Sequence, residues 1–383
     1  MSSRSVLVLS FIGIALGSGA SRAGDDLRIN QIQVIGTHNS YHLAPHTNVQ
    51  GLVGSKGREV AKALNYSHRP LTEQFSKLGI RQIELDVFAD PEGGRYARPG
   101  VRMILKGLKK DPGPDPNEGG KLEKPGFKVF HIQDIDYLST ATTFNDALRQ
   151  VRQWSSEHRD HVPILVLVEL KDEAIPAFPT RPAPFGKTEL DGIDAEIRSV
   201  FAPGEFLSPD DLRGSHETLP EAIKAQGWPA LDDARGQVIF ALDNEGPIQD
   251  RYLADHHALR GRAMFVNVPS DHPAAAWMKL NDPVAQFDQI QALVKAGFLV
   301  RTRADADTFE ARKNDPRRRD KALASGAQYI STDFPEPLAD FSVYQVRLPG
   351  NRVARINPIS GEPGQDGLDL ELVKTAGKPR EKH

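Results

Sequence analysis

The sequence predicts an α/β chain folded as a (β/α)8, or TIM, barrel, and three observations carry that expectation. Short apolar segments with strand character recur eight times between residues 32 and 334, separated by helical stretches or loops. Residues 163–170 (PILVLVEL) form an almost uninterrupted apolar run, the mark of a parallel strand covered on both faces. The first four segments end in His, Asn or carboxylate side chains, and the carboxyl ends of its strands are where such a barrel holds its chemistry. A doubly wound open sheet competes. Against it, the first segment runs into GTHNSY, neither a GxGxxG nor a Walker loop.

Taken in order, residues 32–35 alternate apolar and polar and deliver Thr37, His38, Asn39, Ser40 and Tyr41 onto a loop. Asn, Ser and Gly also dominate ordinary turns, so that cluster alone does not separate a site from a cap. Residues 42–70 read as a loop with helical patches. LTEQFSKL, residues 71–78, has helical spacing and stops at Gly79. The second strand is 80–88 (IRQIELDVF). Residues 90–126, dense in Gly, Pro and charge, read as an insertion, and 127–132 (FKVFHI) as the third strand.

An amphipathic helix is expected over 143–158, with Phe144, Ala147, Leu148, Val151 and Trp154 on one face. The fourth strand is 163–170. A Pro-rich loop (174–187), a helix (189–201) and an irregular stretch with one helix near 219–226 follow. Strands five to eight are 237–243, 263–268, 298–303 and 328–334, with helices over 283–296 and 308–325. One more strand is expected within 341–348, and a polar, disordered tail after Gly361.

The termini complete the domain plan. Arg4, the apolar run of residues 6–16 and small residues through Ala23 have the three zones of a secretory signal, and the run is too short to span a bilayer. The plan is therefore 1–23 signal peptide, 24–340 barrel, and 341–383 C-terminal strand and tail. The mature chain is expected to be exported, secreted or periplasmic, and a monomer. The formal charge of −3 over 383 residues gives no reason for nucleic acid as a partner. The absence of cysteine excludes thiolate metal sites and cysteine nucleophiles.

Four strand ends supply the candidate site. The first gives His38 and Asn39; the second gives Glu84 and Asp86, two apart and so on one face. The third gives His131, with Asp134 and Asp136 just beyond. The fourth gives Glu169, with Lys171 on the same face. Carboxylates crowded into a half-buried mouth repel one another unless a cation compensates, which leaves two readings: a metal, or an ion-pair network with Lys171 and Arg301. Asn39, Glu84, Asp86 and Glu169 offer only oxygen, the preference of Ca2+ and, second to it, Mg2+. Two histidines beside a hard cation suit phosphodiester cleavage, one ring as acid and another as base. His42, His46, His158, His161 and His216 are expected on the surface or in loops, and Tyr41 and Trp277 in the core.

GTHNSY, IELDVF, VFHIQD and LVLVELKD, in that order, resemble the calcium-dependent phosphoinositide-specific phospholipase C family, TIM barrels of the PLC-like phosphodiesterase type. The resemblance covers most of residues 30–337. It implies a phosphatidylinositol-type phospholipid substrate and peripheral membrane contact. It implies that His38 contacts the phosphoryl oxygen, that His131 is the general acid toward the diacylglycerol oxygen, and that Asn39, Glu84, Asp86 and Glu169 hold Ca2+. The inositol 2-hydroxyl would be the internal nucleophile. Lys171, Arg301 and Arg303 are candidate phosphate or headgroup contacts, with an ion pair to Asp305 or Asp333 the alternative for the arginines. A glycerophosphodiester phosphodiesterase shares much of this pattern, but Asn39 stands where that family has Arg. A non-catalytic binding barrel is the remaining class.

Overall fold

The barrel strands are buried along almost their whole length, and most of their side chains are apolar. The structure, a computed structural model, describes residues 27–55, 57–361 and 367–373. The expected leader, 1–23, lies outside them. Eleven strands are described: β1 (Ile32–Thr37), β2 (Gln82–Phe88), β3 (Lys128–Val129), β4 (Ile164–Leu170), β5 (Phe206–Leu207), β6 (Val238–Leu242), β7 (Phe265–Asn267), β8 (Ala275–Lys279), β9 (Leu299–Arg303), β10 (Tyr329–Thr332) and β11 (Ala354–Ile356). Eight of them, β1-β2-β4-β6-β7-β8-β9-β10, pair in parallel in that order, and β10 pairs β1 to close the barrel. Among the described residues, no helix is long and apolar enough to cross a membrane.

Closure between β1 and β2 is narrow, at the single register pair Gly36 and Gln82. Gly36 is required there, because a Cβ would sit 2.0 Å from Gln82 Oε1. Below that point β11 lies antiparallel to β1 and covers the seam.

The expected eight strands and the observed eight differ at one place. Residues 127–132 are not a barrel strand: β3 is two residues long and antiparallel to the end of β2. The chain then turns back on itself, with Ile132 and Asp136 exchanging backbone hydrogen bonds at 2.9 Å. Phe130 stacks on Phe88 at 4.2 Å outside the main core. The missing barrel strand is β8, AAWMK, whose opening alanines have little strand character.

Smaller departures have local causes. The helix expected over 308–325 is two, Phe309–Lys313 and Arg317–Ser325, because Pro316 lacks the N–H that would continue it. No strand forms within 341–348; the extra strand is β11. Residues 367–373, expected in a disordered tail, dock on the barrel: Leu370 is buried and Glu371 pairs with Arg81. The helices Leu71–Leu78 and Leu219–Gln226 match expectation, as do buried Tyr41 and Trp277.

Candidate active site at the barrel mouth

The loop after β1 is fastened to β2 before any of its side chains reaches the mouth. Ser40 N donates to Glu84 O at 2.9 Å, and Glu84 N donates to Ser40 Oγ at 2.8 Å. Gln74 Nε2 donates to Ser40 O at 2.6 Å. Asn39 sits between these anchors at φ 44°, a left-handed conformation that Asn tolerates better than most side chains.

Glu84, Asp86 and Glu169 converge as expected, each with an oxygen within 4.8 Å of the others'. Asp86 is paired across the sheet with Glu169. Asn39 Oδ1 and both Asp86 oxygens are buried and accept no hydrogen bond from any described residue. Burial, then Glu169 beside it, pushes the Asp86 carboxyl well above its ordinary range. Burial likewise raises Glu84 to about 7, although Arg301 opposes the shift. Buried oxygens without donors, all hard, are what a Ca2+ or Mg2+ ion would satisfy, so this donor set fits such a cation.

The two cations weighed against a metal are both present, in unequal ways. Lys171 Nζ lies 3.0 Å from Glu169 Oε1 and 3.4 Å from Asp86 Oδ2 at the edge of the site. Arg301 is not at the rim. It is 1% exposed, inside the barrel, with Nη2 donating to Glu84 Oε2 at 2.6 Å and to Ser331 Oγ at 3.1 Å. That burial makes it the anchor of Glu84, an ion pair other than the expected ones with Asp305 or Asp333. Arg303 is higher, with Nη2 3.2 Å from Asp333 Oδ2 and Nη1 3.4 Å from His38 Nε2.

Both candidate histidines rest on carboxylates. His38 Nδ1 lies 2.7 Å from Asp333 Oδ1, and its Nε2 faces Glu84 Oε1 at 3.5 Å. Burial, with Arg303 close by, lowers His38 to about 3 and keeps the ring neutral. His131 Nδ1 lies 2.7 Å from Asp136 Oδ2, and the residue lines a cleft of about 410 Å³. The cleft runs past Glu169, Lys171, Asp172, Glu173, Glu245 and Arg251.

Several of these parts were not expected. His42 and His161 are buried, not superficial, because each ring nitrogen finds a partner inside. Asp136 joins His131 and His42; burial would raise its carboxyl, but the two rings outweigh it and hold it at about 2. Tyr66 receives a hydrogen bond from Asn39 Nδ2 at 3.2 Å and stacks on His42. The sequence had placed Asp136 just beyond His131 but not its contact with His42; Tyr66 carried no signal.

Residues 27–358 match the family described as phosphoinositide phospholipase C, Ca2+-dependent. No curated protein sequence matches the chain. Among solved structures, the apo form of a calcium-dependent phosphoinositol-specific phospholipase C from a Gram-negative Pseudomonas sp. is similar, with 14% identity, 88% of this chain and 97% of that one covered, and a TM-score of 0.50. A Ca2+-dependent phosphatidylinositol-specific phospholipase C from Streptomyces antibioticus is 19% identical over 81% of this chain and 95% of its own, with a TM-score of 0.48.

Proposed function

The chain belongs to the Ca2+-dependent phosphoinositide phospholipase C family, whose members are phosphoric diester hydrolases, and from that premise we propose that it cleaves phosphatidylinositol-type lipids with His38 and His131 as its proton-transfer pair. The observation that carries this reading is the meeting, at one barrel mouth, of two carboxylate-anchored imidazoles with an all-oxygen donor set.

Asn39, Glu84, Asp86 and Glu169 would hold the Ca2+, which when bound supplies positive charge where a phosphoryl oxygen gains negative charge. His38 is the general base. The proton on Nδ1 faces Asp333, so Nε2 carries the lone pair and can take a proton from the attacking inositol hydroxyl, with the Asp333 carboxylate stabilising the imidazolium that forms. This departs from the role implied by family resemblance, contact with the phosphoryl oxygen, because an Nε2 without a proton has nothing to donate there. Arg303, beside that nitrogen, is the better partner for a phosphoryl oxygen. His131 is the general acid: with Nδ1–H on Asp136, its Nε2–H passes to the diacylglycerol oxygen as the P–O bond breaks. Lys171 faces the headgroup from the cleft wall.

Residues 1–23 act, in this reading, as a leader that exports the enzyme toward its lipid, and N-terminal sequencing of the mature protein tests that part. The activity is tested by turnover of phosphatidylinositol and of glycerophosphoinositol, with and without chelator. Cleavage of the lipid that stops on chelation and returns with calcium is expected. Equal cleavage of the deacylated diester would make the chain a glycerophosphodiester phosphodiesterase in practice, and no turnover would leave a binding barrel.

A further inference from the structure

His42 has no part in the reaction as described, yet it is fully buried and touches the acid's anchor. Its Nε2 lies 2.8 Å from Asp136 Oδ2, and its Nδ1 lies 3.1 Å from the carbonyl oxygen of Tyr66. A backbone carbonyl can only accept, so Nδ1 carries a proton. The second partner oxygen is shared: Asp136 Oδ2 is also the atom 2.7 Å from His131 Nδ1. Asp136 is ionised between the two rings, and one carboxylate oxygen facing two ring nitrogens can only accept from both. His42 Nε2 therefore carries a proton as well, and the ring is a donor at both ends.

We propose that His42 is a positioning residue for the general acid: it clamps the Asp136 carboxylate so that Oδ2 stays on His131 Nδ1–H and the Nε2–H of His131 stays aimed at the leaving oxygen. The reading rests on the acid role given above to His131. The surroundings fit a fixed clamp. His42 is stacked on Tyr66 at a centroid distance of 4.4 Å, and its ring stands edge-on to His131 at 5.9 Å. Its backbone is tied on both sides, His68 N donating to His42 O at 2.9 Å and His42 N to Asn39 O at 2.8 Å. Asp136 Oδ1 accepts no hydrogen bond from any described residue, so the carboxylate's orientation depends on what holds Oδ2. Without His42, that group would be free to turn its other oxygen toward His131 or away from it.

A positioning role predicts a loss confined to reactions that need an acid. Phosphatidylinositol has an alkyl leaving oxygen; a nitrophenyl phosphodiester of inositol has a stable phenolate that leaves without a proton. His42→Phe keeps a ring on Tyr66 and removes both N–H groups. It is expected to lower kcat on the lipid by roughly tenfold to a hundredfold, the scale for residues that orient a functional imidazole, with KM and turnover of the nitrophenyl substrate little changed. His42→Gln, which can still donate to Asp136, is expected to recover part of the loss. Equal losses on both substrates, or no loss on the lipid, would overturn the clamp. Should His42→Phe not fold, nitrogen-15 spectra of the wild-type histidines decide: a buried ring with both nitrogens protonated at neutral pH supports it, and a bare nitrogen on His42 overturns it. If the wild type cleaves neither substrate, the proposed activity falls, while the same spectra still decide the hydrogen-bond pattern of His42.

Discussion

Asp333 Oδ1 lies 2.7 Å from His38 Nδ1, at the junction of two barrel strands adjacent in space and nearly 300 residues apart in sequence. The carboxylate decides which nitrogen of His38 is bare. Burial works against its charge, but His38 and Arg303 hold its pKa well below the ordinary range, so it remains an acceptor. Asp333→Asn keeps the shape and offers an amide N–H in place of that acceptor, which favours the opposite tautomer of His38. The expected result is a fall in kcat of at least about a hundredfold, the usual worth of a positioned base, with KM little changed. Near-normal turnover in a steady-state assay would remove His38 as the base.

Much of this architecture was legible because it follows from local pattern. Strand β4 declares itself by six apolar residues among its seven that must be covered, and Glu84 and Asp86 share a face because strands alternate. What was hidden depended on distance in sequence. β8 is short and alanine-rich, and only its neighbours' hydrogen bonds make it a strand. Arg301 looked like a rim cation from FLVRTR, but its partner Glu84 comes from the opposite part of the barrel. His42 was one histidine among several in a loop. Its importance lies in Asp136 and the Tyr66 carbonyl, which approach it only once the loops after β1 and β3 pair.

Asp86→Asn separates the metal site from the fold. In the absence of metal, the wild type buries a carboxyl with no hydrogen bond, with Glu169 beside it and Lys171 3.4 Å away, so its neutral amide isostere loses one attraction and one repulsion and is expected to leave thermal stability little changed. Calcium should stabilise the wild type by mass action, about 2.7 kcal/mol at roughly a hundred times its dissociation constant. The substitution should abolish that increment. Differential scanning calorimetry with calcium and with chelator checks both halves, and an undiminished calcium effect in the variant would remove Asp86 from the ligand set.

Acid sensitivity should depend in part on His161. Its Nε2 meets Ser155 Oγ at 2.7 Å and its Nδ1 the Val162 carbonyl at the same distance, and burial lowers it to about 4. Unfolded, the ring would titrate near 6.5, so between about 4 and 6.5 the unfolded chain binds more protons than the folded one. The stability this neutral ring contributes is complete above that window and declines as pH falls through it. His161→Gln should reduce the slope of unfolding free energy against pH there by up to about 1.4 kcal/mol per pH unit, the value for one proton. Urea titrations at several pH values measure it; an unchanged slope would mean that His161 is charged in the folded protein.

The cleft walls also bear on which headgroup is taken. Glu169, Asp172, Glu173 and Glu245 face the space beside His131, against only Lys171 and Arg251. Lys171 is already paired with Glu169 and Asp86, and Arg251 lies 3.8 Å from Asp172. Further phosphates on the inositol ring would bring negative charge against these carboxylates, with Lys171 and the already paired Arg251 alone along the cleft to offset it, whereas a neutral polyol finds acceptors for its hydroxyls. Phosphatidylinositol should therefore be cleaved with a kcat/KM at least about tenfold above that of its bisphosphate, since one poorly placed charge readily costs the roughly 1.4 kcal/mol that tenfold requires. Because part of that penalty is Coulombic, raising the salt concentration should narrow the gap, and so should Glu173→Gln combined with Glu245→Gln. Equal turnover of the two lipids at low salt would mean that the headgroup lies elsewhere at the mouth, closer to Arg303 than to this cleft.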